Sequence, residues 1–301
     1  MKTFLNIHKY DVVFLSYDEP NADANWANLL TKVPHAKRVH GIKGSDSAHK
    51  AVANLATTDR VIVIDADNVV EDNFLDQVIE LDSSIDLSQT VLSWSSQNII
   101  NGLQYGNGGI KCWPRQLMLD MRTHENAEPN NTKTQVDFCW HINYIGIDQC
   151  YSTIHNNATP QQAWRAGFRE GVKMSLDQGA KVKRLSNLWQ GNLRRLGIWM
   201  MVGMDVPNGV WSILGAREGC YLTNFTDWDH TNVRDFEYLN NYWTKNASGF
   251  VVADAINRIN QLGYMMRDQL DIMHPYDNQQ SKFFKFFDFN PDRQPKTVRV
   301  K

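Results

Sequence analysis

Chemistry in this chain concentrates where an apolar run meets two carboxylates. Val61-Ile62-Val63-Ile64 leads straight into Asp65-Ala66-Asp67-Asn68. Four β-branched residues in a row read as a strand buried on both faces. Burying an isolated charge costs several kcal/mol or more, so a strand that ends this way calls for a cation beside it. In an open α/β sheet the carboxyl ends of strands are where ligands bind. An Asp-rich turn leaving a strand is the plainer account of the same residues.

Two other stretches have residue types suited to chemistry. Arg165, Arg169 and Lys173 recur every fourth residue, with few acids between them. On a helix they form one basic stripe, either a solvated face or a site for phosphates. Gly102, Gly106, Gly108 and Gly109 fall within eight positions, followed by Lys111, Trp113 and Arg115. Glycine at that density implies positive φ angles or close approach of backbone to something. The spacing is neither a Walker A loop nor GxGxxG.

The elements that must position these residues follow from periodicity. Asp11–Ser16 reads as a first buried strand, ending in the polar turn Tyr17-Asp18-Glu19-Pro20. A helix follows, with Trp26, Leu29, Leu30 and Val33 at helical spacing. Arg38–Gly41 is a short second strand. Gly44–Ala56 is a helix capped by Ser45 or Asp46, its stripe Ala48, Ala51, Val52, Leu55 and Ala56. Then come the aspartate strand, a short helix around Phe74 to Leu81, a strand at Thr90–Ser95, an exposed polar loop from Glu125 to Thr134, and a strand from Val136 to Ile147. Thr159-Pro160-Gln161-Gln162 supplies an N-cap, Pro at N1 and Gln at N3. That helix runs to about Gln178 and stops at Gly179. A late helix spans Val251 to Leu270. Alternating strands and helices predict a parallel α/β sheet. The division expected is a sheet unit at 1–180 and a mostly helical extension at 181–301, which could help bind the acceptor.

The chain has 301 residues, 42% hydrophobic and 21% charged, which is ordinary globular composition. A net charge of −2 announces no global field for nucleic acid or membrane. Local runs are basic, at Lys181, Lys183, Arg184, Arg194 and Arg195, and in the tail at Arg293, Lys296, Arg299 and Lys301. Cys112, Cys139, Cys150 and Cys220 form no CxxC pair, so a zinc site is not expected. Met1–Tyr10 lacks the apolar core of a signal peptide, and no stretch has the apolar length to span a bilayer. Reduced thiols in a cytoplasmic, membrane-free setting are the expectation.

Three pieces in this order carry a family resemblance: the Tyr17-Asp18-Glu19 turn, the helix Ala48–Ala56 with Lys50 and Asn54, and the strand ending Asp65-Ala66-Asp67. Over about residues 8–180 the chain resembles the GT-A fold of nucleotide-sugar glycosyltransferases, most like the family-2-type enzymes. The resemblance implies a Rossmann-like, mixed but mainly parallel sheet with flanking helices. It casts Asp65-Ala66-Asp67 as a DxD motif holding Mn2+ or Mg2+ against the donor diphosphate, with Asp67 a direct ligand and Asp65 on the metal, its water or the ribose. A hard divalent cation wants such oxygen ligands and keeps substrate phosphates in its shell. Asp18, Glu19, Lys50, Arg165, Arg169 and Lys173 then fall on the donor side, a UDP-sugar being the expected donor. His155, or second His230, is the candidate late metal ligand. Gly108, Gly109, Lys111 and Trp113 fall on the donor-sugar and acceptor loop, with backbone passing close to a sugar ring.

One departure stands out. Such enzymes usually carry Glu-Asp at a helix start where this chain has Gln161-Gln162. An amide takes no proton usefully, so the general base falls to Asp137, Asp148 or Glu170, whichever reaches the acceptor hydroxyl. The overall wording is also similar to glycosyltransferases encoded by tailed bacteriophages, some of which decorate hydroxymethylated bases. The resemblance thus admits double-stranded DNA with modified bases as acceptor, in a host cytoplasm, beside a glycan, small molecule or protein. The basic run would then meet phosphates. Two other classes compete. A nucleotidyltransferase uses paired aspartates too, but carries a basic Gly-rich loop where this chain has acidic Asp18-Glu19. A non-catalytic nucleic-acid-binding protein on the same fold would hydrolyse no nucleotide sugar.

Overall fold

The computed structural model describes residues 1–105, 109–285, 299 and 300; the side chains of Asp148, Arg299 and Val300 also lie outside the described set. The central sheet takes β1 (Asp11–Ser16), β2 (Lys37–His40), β3 (Arg60–Asp65), β4 (Asn68–Val70), β5 (Thr90–Asn98), β6 (Ile110–Pro114) and β7 (Asn143–Ile154). Their spatial order is β2-β1-β3-β6-β5-β7-β4, with Gln104–Tyr105 pairing β5 as well. Helices α1 (Ala22–Lys32) and α2 (Ser45–Leu55) connect the first three strands. Val13 sits opposite both Lys37 and Val63, so β1 runs parallel to β2 and β3.

The sheet is evenly mixed, which corrects the mainly parallel expectation. Pairings β1–β2, β1–β3 and β5–β7 are parallel; β3–β6, β6–β5 and β7–β4 are antiparallel. The cause is β6, which returns antiparallel between β3 and β5 and places Cys112 opposite Ile62 and Leu92. Val61, Ile62, Val63 and Ile64 are all buried, as a strand covered on both faces requires.

Three local expectations also change. Phe74–Leu81 is no helix: a 3-10 turn at Phe74–Asp76 precedes a strand at Val78–Asp82 that pairs antiparallel with Lys2–Asn6. Its buried residues Ile79 and Leu81 are two apart, which is strand spacing. The stretch 136–147 is interrupted. Asn131 accepts from Thr134 N and Asp137 from Cys139 N, closing a short helix at Thr132–Val136 and a 3-10 turn at Phe138–His141 before β7 begins. The helix opened by Thr159, α3 (Pro160–Met174), stops short of Gln178. Gln178 and Gly179, both at positive φ, instead turn the small hairpin Leu176–Asp177/Ala180–Lys181.

Beyond it lie α4 (Gln190–Met201), α5 (Gly209–Phe225), α6 (Phe236–Asn246) and α7 (Val252–Met266). Helix α3 meets α5 backbone to backbone. A Cβ at Gly167 or Gly171 would fall on the carbonyl of Ser212 or Ala216, and one at Gly215 or Gly219 on that of Trp164 or Phe168. No side chain fits between such surfaces, so each helix supplies glycine where the other presents its backbone. Trp164, Phe168, Ile213 and Leu214 fill the flanks with no exposed surface. No helix among the described residues is long and apolar enough to cross a membrane.

Candidate active site

Asp65 and Asp67 stand at the carboxyl end of β3, at the floor of a cavity of about 990 Å3. Glu19 and Asp18 from the end of β1, the start of α2, Arg169 from α3 and Phe236 from α6 complete its walls. The aspartate turn is held by backbone. Asn25 of α1 donates to Ala66 O at 2.8 Å, and His155 N donates to Asp67 O at 2.7 Å. Asp65 N donates to Gly109 O at 2.8 Å. A Cβ at Gly109 would collide with the Asn68 amide and Asp65 Cβ. Glycine is therefore required at 109 by the aspartate strand itself. Gly108 lies outside the described residues.

Among the described residues the carboxylates form no ion pair. Asp67 accepts from Asn68 Nδ2 at 2.8 Å, a neutral donor. Burial, then the neighbouring Asp65 and Glu19, push its pKa up to about 7. Burial raises Glu19 as well, and Asp18 adds to the effect. Among the described residues no lysine or arginine bonds to Asp65 or Asp67. Two half-buried oxygen-donor side chains that repel one another are the chemistry a hard divalent cation resolves.

The basic stripe on α3 divides into three roles. Arg165 clamps Asp18 through two nitrogens, each at 3.0 Å. Lys173 pairs with Asp137 at 2.9 Å, both largely buried. Arg169, between them, has no hydrogen bond or ion pair among the described residues, and its buried Nε is unpartnered. Its guanidinium stacks 4.9 Å from the centre of Phe236, which also carries Arg165 at 4.5 Å. Lys50 is spent on Asp46 one turn back and does not line the cavity.

Deeper in, Asp65, Asp67 and Arg169 also border a second cavity of about 290 Å3. Lys111, Trp113, Asp137 and Glu170 line it with Tyr105 and Trp199. Trp113 is 1% exposed and packs on Phe138 and Tyr144, so it presents an edge rather than a free face. Burial works against the charged form of Asp137, but the Lys173 ammonium overrides it and holds the pKa near about 2. A carboxylate so stabilised is a weak base. Glu170 accepts the Tyr105 hydroxyl at 2.7 Å. The side chain of Asp148, on β7, is not described.

Neither histidine singled out from sequence reaches the aspartates through its ring. His155 Nε2 is hydrogen-bonded to Thr153 Oγ1 at 2.9 Å, and His230 Nε2 to Gly179 O at 3.0 Å. Among the described residues no three His, Cys, Asp or Glu side chains converge as a complete metal cage. His49 and His124 line both cavities instead. Burial keeps each neutral, pushing His124 down to about 3. Glu125 was also missed: its Oε1 accepts from Asp46 N at 3.0 Å and Ser47 N at 3.4 Å, capping α2 from another part of the chain. Neither Ser45 nor Asp46 caps it; Asp46 instead accepts from Thr123 N at 2.9 Å and Asn126 Nδ2 at 2.8 Å. The sequence signal was an acid just after Thr123 in a polar stretch, which reads equally well as solvated loop.

No family model matches the chain, and no curated protein matches its sequence. Among solved structures it is similar to a mannosyltransferase from Pyrobaculum calidifontis in complex with GDP-Man and Mn2+, at 12% identity and a TM-score of 0.36, over 95% of this chain and 88% of that chain.

Proposed function

We propose that the chain is a nucleotide-sugar-dependent glycosyltransferase. The observation that carries this reading is the Asp65–Asp67 pair, half-buried at a strand end with no ion pair among the described residues and facing a cleft large enough for a sugar nucleotide. Asp65 and Asp67 would hold Mn2+ or Mg2+, with donor phosphates and water filling the remaining positions. A divalent ion there offsets the charge that develops on the leaving diphosphate. Arg169 reaches the same point from the opposite wall, and its unmatched donors suit a phosphate oxygen. The Asp18–Arg165 clamp and Glu19 shape the nucleoside end of the cleft.

Of the candidate bases, Glu170 fits best. It borders the inner cavity with Asp67 and, among the described residues, carries no ion pair, whereas Asp137 is already neutralised by Lys173. The acceptor oxygen forms its bond to the anomeric carbon as the bond from that carbon to the diphosphate oxygen breaks. The acceptor's proton passes to Glu170, and the nucleoside diphosphate leaves.

A thermal-shift screen of UDP-, GDP- and CMP-sugars with and without Mn2+ tests the reading. One donor raises the melting temperature in a metal-dependent way; stabilisation by none overturns the proposal. Donor binding by Asp67→Ala that is undiminished in the presence of metal removes the role given to the aspartate pair.

A further inference from the structure

A wall residue of the inner cavity is linked through an arginine to an exposed aromatic that the donor site does not use. Tyr105 forms part of its wall. The Arg195 guanidinium lies 5.1 Å from the Tyr105 ring centre and 5.5 Å from that of Trp189, joining the two rings. Trp189 stands at the N-terminus of α4 and is 51% exposed. The same helix sends Trp199 back into the cavity, 2% exposed, its buried Nε1 lacking a hydrogen-bond partner among the described residues. Trp199 Nε1 is near enough to the Tyr105 hydroxyl to offset a little of its raised pKa, yet it stays outside hydrogen-bond geometry. A buried donor of this kind is costly unless something completes it.

Resting on the transferase reading, we infer that the acceptor is a saccharide of at least two residues, its terminal ring in the inner cavity and its next ring on Trp189. Size is the first reason. A cavity of about 290 Å3 holds one sugar ring, and a duplex could reach it only by flipping a base out of the stack. Charge is the second. Asp65, Asp67, Asp137 and Glu170 face Lys111, Arg169 and Lys173, so acids and bases nearly balance and a polyanion gains little. A neutral polyol suits the same walls, because each hydroxyl both donates to a carboxylate and accepts from a cation or from Trp199 Nε1. The third reason is the exit. An indole with one open face, fixed by an arginine, offers a flat apolar platform with a polar rim, which matches a pyranose ring.

The test measures transfer and binding separately. Donor hydrolysis without acceptor reports on the transferase reading itself. Methyl hexosides and the corresponding methyl disaccharides then serve as acceptors, with duplex DNA carrying hydroxymethylcytosine as the competing class. Trp189→Ala is expected to raise KM for the disaccharide about tenfold and that for the monosaccharide less than twofold. Trp199→Phe is expected to raise both by about fivefold. Saturation-transfer NMR of the methyl disaccharide needs no turnover and should show its signal lost in Trp189→Ala. Equal effects of Trp189→Ala on both acceptors, disaccharide binding that Trp189→Ala leaves intact, or hexose mass added to the DNA and to no saccharide overturns the inference. Donor hydrolysis alongside any of these leaves the transferase reading standing, while its absence with every donor counts against that reading.

Discussion

Arg169 and Arg217 are guanidiniums on two helices that touch, and the protein treats them differently. Arg217, on α5, has no exposed surface. Its Nε donates to Met200 O at 3.0 Å and its Nη1 to Ile259 O at 2.9 Å, tying α4 and α7 to α5. Burial lowers its pKa to about 9, yet carbonyls rather than a carboxylate receive it. Arg169, on α3, faces the cleft with its donors unmatched. Among the described residues each guanidinium keeps one buried unmatched nitrogen, Nη2 of Arg217 and Nε of Arg169, but Arg217 is spent on backbone carbonyls of the helical layer while Arg169 makes no hydrogen bond. The cleft leaves both signs open, with Arg169 on one wall and Asp65, Asp67 and Glu19 on the other. A ligand that supplies a cation and a diphosphate together completes both sides.

Substitutions should separate the two regions. The largest effect is expected from Arg217→Ala, which strands buried carbonyls and opens a hole in the helical layer. Urea denaturation should show about 4–5 kcal/mol lost, with turnover per folded molecule unchanged. Asp67→Asn should lower turnover about a thousandfold while the protein melts no earlier. Arg169→Ala should cost about a hundredfold in kcat with stability intact; a fall in stability like that of Arg217→Ala would erase the contrast.

A pH titration of metal-free protein sharpens the same point. Asp67 is raised from the ordinary aspartate range to about 7, so the folded state keeps its proton to higher pH than the unfolded chain. Stability from this group is present in acid and falls as pH rises toward and through 7, by about 2 kcal/mol between pH 5 and 7. Asp67→Asn should flatten that slope, and saturating Mn2+ should reverse the loss at pH 7. The smallest effect belongs to Tyr105→Phe, which frees Glu170 from its hydroxyl partner. About a fivefold fall in kcat with KM for the donor unchanged is expected if the tyrosine positions the base.

The aspartate strand and the helices flanking it were legible because local rules were enough. Val61–Ile64 runs as one apolar block, and Thr159-Pro160-Gln161-Gln162 punctuates a helix start. Mixed pairing was not legible, since nothing within Ile110–Pro114 says whether it returns parallel or antiparallel. The stripe on α3 was visible as spacing, but not that Asp18 and Asp137 would occupy its two ends. Those partners lie 147 and 36 positions away in the chain, beyond what a periodic pattern encodes. Lys50 misled for the converse reason: Asp46, one turn earlier, holds it. Glu125 was hidden because a capping acid supplied from a remote loop has no spacing rule.

The glycine-to-carbonyl contact of α3 with α5 bears on how this protein could be re-engineered. Arg165, Arg169, Glu170 and Lys173 ride on a helix whose back is seated directly on another backbone. That helix cannot slide or tilt to admit a larger donor or acceptor without carbonyls and α-carbons colliding. New specificity should therefore be sought by randomising His124 and Glu125, which line the cleft from a segment outside that contact, and the exposed Trp189. Libraries directed at the α3 face should return mostly dead variants that still fold.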